Sequence, residues 1–358
     1  MQTQRTLNVV FSATRQWNPG DEFIAFGCMN ALRAAGLEFN PIVFNRNPQT
    51  RRTRMWWLSK LDSAVFGGKL APFLDNSFKD DTDPAIVDLV VFAGSPEWHG
   101  RRLAPLYELI AARKIPTIFL GIGSANDFTL DATYFTETEM QVLRDARLIA
   151  CREERTALAL KPVNARHITC PALLSCTSET QRRDVKRVGL IFGSDRAVKH
   201  NRVSADTFAY MTSLYRRLRE QIGREVEFEL VAHYIDELSH ARLTFADMGL
   251  RYSFDAADYR EIYSRYDIVI GHRVHGIGIA ASQGIPGICI AHDKRGGTAL
   301  GFKAEMVTVG QPVDDVVALF KKMRAEIAQR SEKIIAHKRA VAGQYQDALV
   351  PVLRGLTP

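Results

Sequence analysis

Short, almost wholly apolar runs alternate with longer amphipathic stretches along most of this chain, and that rhythm leaves few folds open. Runs such as 88–93 (DLVVFA) and 287–291 (GICIA) carry almost no polar residues and read as strands buried on both faces. Strands of that kind, separated by helical stretches, form a parallel sheet with helices packed on either side. The chain is therefore predicted to be α/β and doubly wound.

The rhythm runs twice. Strands are predicted at 7–11, 38–44, 88–93, 116–120, 148–151 and 167–169, with helices at 22–35, 103–113, 137–144 and 153–160. A polar stretch without apolar periodicity, 175–187, reads as a connection between domains. A second set follows, with strands at 188–192, 227–232, 268–270 and 287–291 and helices at 205–222 and 259–265. A long helical region covers 313–339 and continues towards 353. At 358 residues the chain is long enough for two cores. The economical reading is two Rossmann-like domains, 1–176 and 187–358, facing a cleft. Residues 46–83, with Trp56-Trp57 and many charges, break the pattern and read as a helical insertion or a flap.

Charge narrows the partners without choosing one. The net charge of +7 and pI near 9.2 favour anions: phosphorylated metabolites, acidic glycans, nucleic acid or a membrane surface. The arginine clusters at 51–54 and 182–187 are short and lack a nucleic-acid fold signature, so they read as solvated loops, and nucleic acid is not expected as a partner. Five cysteines, odd in number and without C-x-x-C spacing, argue against a disulfide framework or a zinc site. Met1 is followed by polar residues and then at once by an apolar strand, with no signal-like core, and no apolar run approaches a membrane span. The expectation is a cytoplasmic protein without a metal, whose basic surface leaves peripheral contact with a membrane open.

The segment from Asp267 to Arg295 points most directly at chemistry. Its two apolar runs are followed by charged, mostly cationic residues: Arg273 and His275 after the first, and His292, Asp293, Lys294 and Arg295 after the second. In open parallel sheets ligands bind outside the carboxyl ends of the strands, so two such ends suggest a pocket for a small anion.

With these residues in view, the pattern resembles the polysaccharide pyruvyl transferase family, whose members have a fold like the two-domain GT-B glycosyltransferases. Asn18-Pro19-Gly20-Asp21-Glu22 is similar to the family's loop after the first strand. Gly121-Ile122-Gly123 and Cys151-Arg152-Glu153-Glu154 match its middle motifs, and Asp267 through His275 its most specific one. Two positions depart from the pattern: Cys170-Pro171-Ala172 where many members carry Asp-Pro-Ala, and His272 where a small residue is common.

The resemblance implies transfer of a pyruvyl group from phosphoenolpyruvate to two hydroxyls of a sugar in a cell-surface glycan or its lipid- or nucleotide-linked precursor. A cyclic ketal forms and phosphate leaves. That chemistry needs planar cations for the donor's carboxylate and phosphate, and a group that moves protons. Arg273 and Arg152 are the candidates for the donor anion, joined by Lys294 and Arg295; His275 is the candidate acid/base. Each has a plainer alternative: a salt bridge from Arg273 to Asp267 or Asp293, a helix-start ion pair for Arg152, a backbone-bonded strand-end histidine at 275, and a solvated loop at 294–297, where Gly296 and Gly297 could equally bring amides to an anion. His272 alternates away from Arg273 and reads as packing. Asn18, Asp21, Glu97 and His99 are candidates for the acceptor, with Asp21 more simply a helix cap. Trp98, His233 and Asp236 are lesser cleft candidates, and Cys170 and Cys176 read as buried thiols. Two other functions stay open: a GT-B glycosyltransferase using a nucleotide sugar, and a non-catalytic glycan- or anion-binding member of the fold.

Overall fold

A computed structural model describes residues 6–14, 18–45, 64–65, 86–96, 103–124, 129–131, 134–198, 201–293 and 296–356. The insertion or flap expected at 46–83 lies outside them apart from two residues.

The first domain carries strands β1 (Leu7–Ala13), β2 (Phe39–Asn45), β3 (Leu89–Ala93), β4 (Thr117–Ile122), β5 (Leu148–Cys151) and β6 (Arg166–His167). They form one sheet in the order β2-β1-β3-β4-β5-β6, and every pairing is parallel. Helices α1 (Pro19–Ala34), α2 (Ala104–Arg113), α3 (Glu137–Asp145) and α4 (Glu154–Ala159) are its crossovers. The central strands are buried along their whole length, as their apolar composition demands.

The second domain repeats the design. Strands β7 (Arg187–Ile191), β8 (Glu227–Val231), β9 (Gly249–Arg251), β10 (Ile268–Gly271), β11 (Gly287–Ala291) and β12 (Glu305–Thr308) form a parallel sheet in the order β12-β11-β10-β7-β8-β9. Its helices are α5 (Ala205–Ile222), α6 (Leu238–Thr244), α7 (Tyr259–Ser264), α8 (Val274–Ser282), α9 (Gly297–Leu300), α10 (Val313–Ala325) and α11 (Ile327–Arg354). Two parallel-sheet α/β domains are thus present, as the sequence predicts.

Strand order reverses between β1 and β3 in one sheet and between β7 and β10 in the other, and such switch points open crevices at the strands' carboxyl ends. Helix α1 leaves the first crevice and α8 the second. The two pack together in a core that also holds Phe23, Ile24, Leu173, Ile277 and Tyr345. Burying each such side chain is worth about 1.5–3 kcal/mol. Gly27 permits α1 to approach the turn at Pro171 closely: a Cβ on it would lie 1.8 Å from the Pro171 carbonyl oxygen.

Several boundaries differ from expectation. Helix α1 starts at Pro19 rather than at residue 22, because proline suits the first helical turn. The long helical region breaks at Glu326 into α10 and α11. Strands β9 and β12 and helix α6 are short or sparsely apolar, and periodicity did not reveal them. Helix α11 also returns to the first domain, where Tyr345 Oη donates to the Thr169 carbonyl at 2.8 Å. Among the described residues no helix is long and apolar enough to cross a membrane.

Candidate active site

A cleft of about 530 Å³ opens where the two switch points meet, lined by Asn18, Gly20, Arg152, His233, Tyr234, His272, Arg273, His275, His292 and Thr298 among others. Two helix N-termini converge on it. Asn18 caps α1, its Oδ1 accepting the Gly20 N–H at 3.1 Å, while the first turn of α8 begins after Arg273 with no capping side chain. The amides of residues 274–276 precede the first intrahelical bond, Ile277 N–H to Arg273 O, so they and the helix dipole favour an anion at this end. The ends touch: a Cβ on Gly20 would lie 3.0 Å from His275 Nδ1.

Arg152 arrives from the end of β5 and is buried. Its guanidinium fills the space left by the missing side chain of Gly123, where a Cβ would lie 2.4 Å from Nε. Arg152 Nη1 stands 3.3 Å from His275 Nε2, and Nε stands 3.6 Å from Glu153. The helix-start ion pair and the cleft contact therefore coexist. An arginine can only donate, so Nε2 accepts and the ring proton of a neutral His275 sits on Nδ1. Glu153 also accepts from Thr298 Oγ1 at 2.9 Å, tying the Arg152 loop to the second domain.

Arg273 does form an ion pair, but with neither expected partner. Asp267 instead accepts the backbone N–H groups of Lys186 and Arg187, and Asp293 faces His292 at 3.7 Å. The partner is Glu237, 2.6 Å from Arg273 Nη2, with 17% of the arginine side chain exposed and 0% of the glutamate's. Nη2 also donates to the Asn201 carbonyl at 2.9 Å, and the guanidinium lies 4.4 Å from the centre of the Tyr234 ring. Burial pulls the Arg273 guanidinium down, but Glu237 and Tyr234 outweigh it and hold it above its ordinary range. The Arg273–Glu237 contact is thus an ion pair at the back wall of the cleft. Tyr234 Oη reaches Asn18 Oδ1 at 3.2 Å, so Arg273 is braced against the first domain as well.

The remaining expectations divide. His275 is not a strand-end histidine bonded to backbone; it lies in the first turn of α8 and faces Arg152. His272 does not turn away: it lines the same cleft, packed edge-on to His292 at 5.4 Å and filling the space beside Gly193. The chain leaves the strand at Gly271, so strand alternation no longer governs residue 272. The cap of α1 is Asn18, not Asp21, which sits in the first turn. His233 is buried with Nε2 2.7 Å from Tyr263 Oη; burial and the nearby Arg273 push it down to about 3, so it is neutral. Asp236 does not line this cleft; it accepts the Val198 N–H at 2.8 Å and the Asn201 amide at 3.4 Å. Cys170 and Cys176 are buried thiols. Glu97, Trp98, His99, Lys294 and Arg295 lie outside the described residues. Among those described, no group of three or more His, Cys, Asp or Glu could hold a metal ion.

Tyr234, Glu237, Asn201 and Thr298 escaped the sequence reading. Tyr234 and Glu237 flank Asp236 after β8, and the strand-end rule that selected His233 reached them equally. Only the three-dimensional pairing singles them out.

Comparison with known proteins bears on the family and the fold. The family profile of polysaccharide pyruvyl transferase matches residues 18–294, well over half the chain. No curated protein matches. Among solved structures, the chain is similar to UDP-GlcNAc 2-epimerase from Neisseria meningitidis bound to UDP-GlcNAc, with TM-score 0.55, 12% identity, and 98% of this chain and 100% of that one covered. A putative UDP-N-acetylglucosamine 2-epimerase from Listeria monocytogenes gives TM-score 0.54 at 12% identity over 94% and 96% of the two chains. Trehalose-6-phosphate synthase OtsA gives 0.52 at 12% over 97% and 99%. At such identities the likeness shows the fold, which is GT-B-like.

Proposed function

The chain belongs to the polysaccharide pyruvyl transferase family, and from that premise we propose that it moves the pyruvyl group of phosphoenolpyruvate onto two hydroxyls of a sugar in a cell-surface glycan or its precursor. Membership makes the chain a transferase with a polysaccharide-modifying role; the donor and the ketal are our reading. One observation carries it. Arg152, His275 and the N-terminal turn of α8 face one another across a small cleft, which joins anion binding to a proton-moving group.

In this reading the donor's carboxylate and phosphate lie between Arg152, Arg273 and the first turn of α8, where fixed donors cost no reorganisation. The donor's methylene carbon gains a proton and becomes a methyl group. The neighbouring carbon, made electron-poor, is attacked by one sugar hydroxyl and then by a second, and the bond to phosphate breaks. Two hydroxyl protons are released; one balances the proton taken by carbon and the other leaves with phosphate. His275 is the group proposed to move protons. Its Nε2 meets Arg152, and a bound anion competing for the guanidinium frees Nε2 for exchange. Lys294 and Arg295 remain proposed donor contacts, and Asn18, Asp21, Glu97 and His99 proposed acceptor contacts. The proposed setting is the cytoplasm, at the inner face of a membrane where the acceptor is lipid-linked.

The test is phosphate release from phosphoenolpyruvate with a panel of glycan acceptors, followed by mass analysis for a pyruvyl adduct. Arg152→Ala and His275→Ala should each lower turnover at least about a hundredfold. The GT-B neighbours solved with UDP-GlcNAc support a second reading, a glycosyltransferase using a nucleotide sugar. Thermal stabilisation by UDP alone, with none by phosphoenolpyruvate, would favour it and sink the pyruvyl reading.

A further inference from the structure

A second cavity, of about 570 Å³, adjoins the first behind His233 and Tyr234, which line both. Its floor is aromatic and aliphatic: Tyr234, Ile235, Tyr252 and Phe254 follow β8 and β9, and Val198 follows β7. Three of these side chains are unusually open. Among the described residues eight large hydrophobic side chains are exposed, and three of them crowd this rim: Ile235 at 68%, Phe254 at 53% and Val198 at 45%. An apolar patch left open beside a polar cleft marks a binding surface more often than scattered exposure does.

The charge of the two cavities differs in sign. The first holds Arg152 and Arg273. The second has no lysine or arginine among its described lining residues, and it presents the carboxylates Glu22 and Asp236 with the Asn201 amide. A phosphate or carboxylate is disfavoured there. A neutral ring with an apolar face and a rim of hydroxyls suits it, because the face lies on aromatic carbon and the hydroxyls meet oxygen acceptors. A pyranose has that form.

We propose that this second cavity is the subsite for a pyranose ring of the acceptor glycan, with Phe254, Tyr252 and Ile235 as its platform and Asp236 and Asn201 at its polar edge. The proposal rests on the transferase reading above and gives the acceptor a place in it. The ring's face lies on the second domain opposite Pro19 and Glu22 of the first, and its hydroxyls pass Tyr234 towards Asn18 and the donor. Tyr234 then serves both cavities, since the ring that braces Arg273 on one side forms the partition on the other.

The test uses the full chain and two variants of exposed residues, Phe254→Ala and Ile235→Ser, which spare the core. Each protein is applied to an array of pyranose-containing oligosaccharides, and thermal stabilisation by phosphoenolpyruvate is measured separately. The unaltered protein should be retained, and retention should fall roughly tenfold in either variant, with stabilisation by phosphoenolpyruvate unchanged. Equal retention by the variants, or none by the unaltered protein, overturns the subsite. So does UDP binding that Phe254→Ala abolishes, since the platform would then hold a nucleobase. If the array result is as expected but phosphoenolpyruvate stabilises nothing, the donor reading falls and the subsite stands.

Discussion

Removing Arg273 should cost the protein more at neutral pH than in mild acid, and the reason lies in the burial of its partner. Glu237 has 0% of its side chain exposed, against 17% for Arg273, and it also accepts the backbone N–H groups of His233 at 3.1 Å and Tyr234 at 3.2 Å. In Arg273→Met, which keeps most of the volume, a buried carboxylate keeps two neutral donors and loses its counter-charge. Stranding one partner of a buried pair costs about 3–5 kcal/mol. Burial pushes the Glu237 carboxyl up and Arg273 opposes it, so the variant's carboxyl should rise further above its ordinary 4.5. A carboxyl raised in the folded state contributes its stability fully below the unfolded value and loses it as pH rises through the folded one, at about 1.4 kcal/mol per unit. The deficit of the variant should therefore be small in mild acid, near the ordinary carboxyl value, and grow as pH rises through neutrality. Urea unfolding of both proteins across that range measures it, with the unaltered protein as reference at each pH. Arg273→Met/Glu237→Gln, which leaves no buried charge and keeps an oxygen acceptor for the two amides, should recover most of the loss. A deficit below about 1 kcal/mol, or one that does not change with pH, would refute the reasoning.

Three further outcomes follow from the geometry. Gly27→Ala places a methyl group 1.8 Å from the Pro171 carbonyl oxygen and should cost about 3 kcal/mol or more, whereas Gly343→Ala meets open space inside α11 and should add about 1 kcal/mol; thermal melts of the two should shift in opposite directions. His233, held neutral by burial and pushed down to about 3, contributes stability that is present above its unfolded value near 6.5 and is lost as pH falls towards 3. This amounts to about 5 kcal/mol at most, so His233→Gln should flatten the acid limb of the unfolding curve. Asn18→Ala should cost about 1 kcal/mol through the lost cap of α1; Asn18→Ser should restore the cap without reaching Tyr234, so stability recovers while turnover stays low.

How far the site was legible in advance depends on the distance over which its parts act. Arg152 and Gly121-Ile122-Gly123 stood out as separate motifs, each at a strand end. That Gly123 admits the Arg152 guanidinium is a contact between neighbouring strands, and nothing local predicts it. His275 was identifiable as a titratable group beside Arg273, but its placement on the first turn of a helix faces it towards Arg152 of the other domain. Arg273 itself was plain. Its partner was not, because Asp267 and Asp293 are near in sequence while Glu237 comes from after β8. His272 misled because alternation holds only while the chain remains a strand, and the strand ends at Gly271.

The order of residues was enough to dictate the double α/β plan, since apolar runs without polar alternation can be buried only inside parallel sheets covered by helices. It also dictated which strand ends carry charge, because that is a matter of position along the chain. What those ends do together was settled in three dimensions. Folding set α1 against α8 and, through the gap at Gly27, against the Pro171 turn, brought Arg152 to His275 and Arg273 to Glu237, and left a second cavity behind Tyr234. The Arg152–His275 contact alone spans 123 positions of chain, and only the folding of two separate sheets around one cleft brings such residues within a few ångströms.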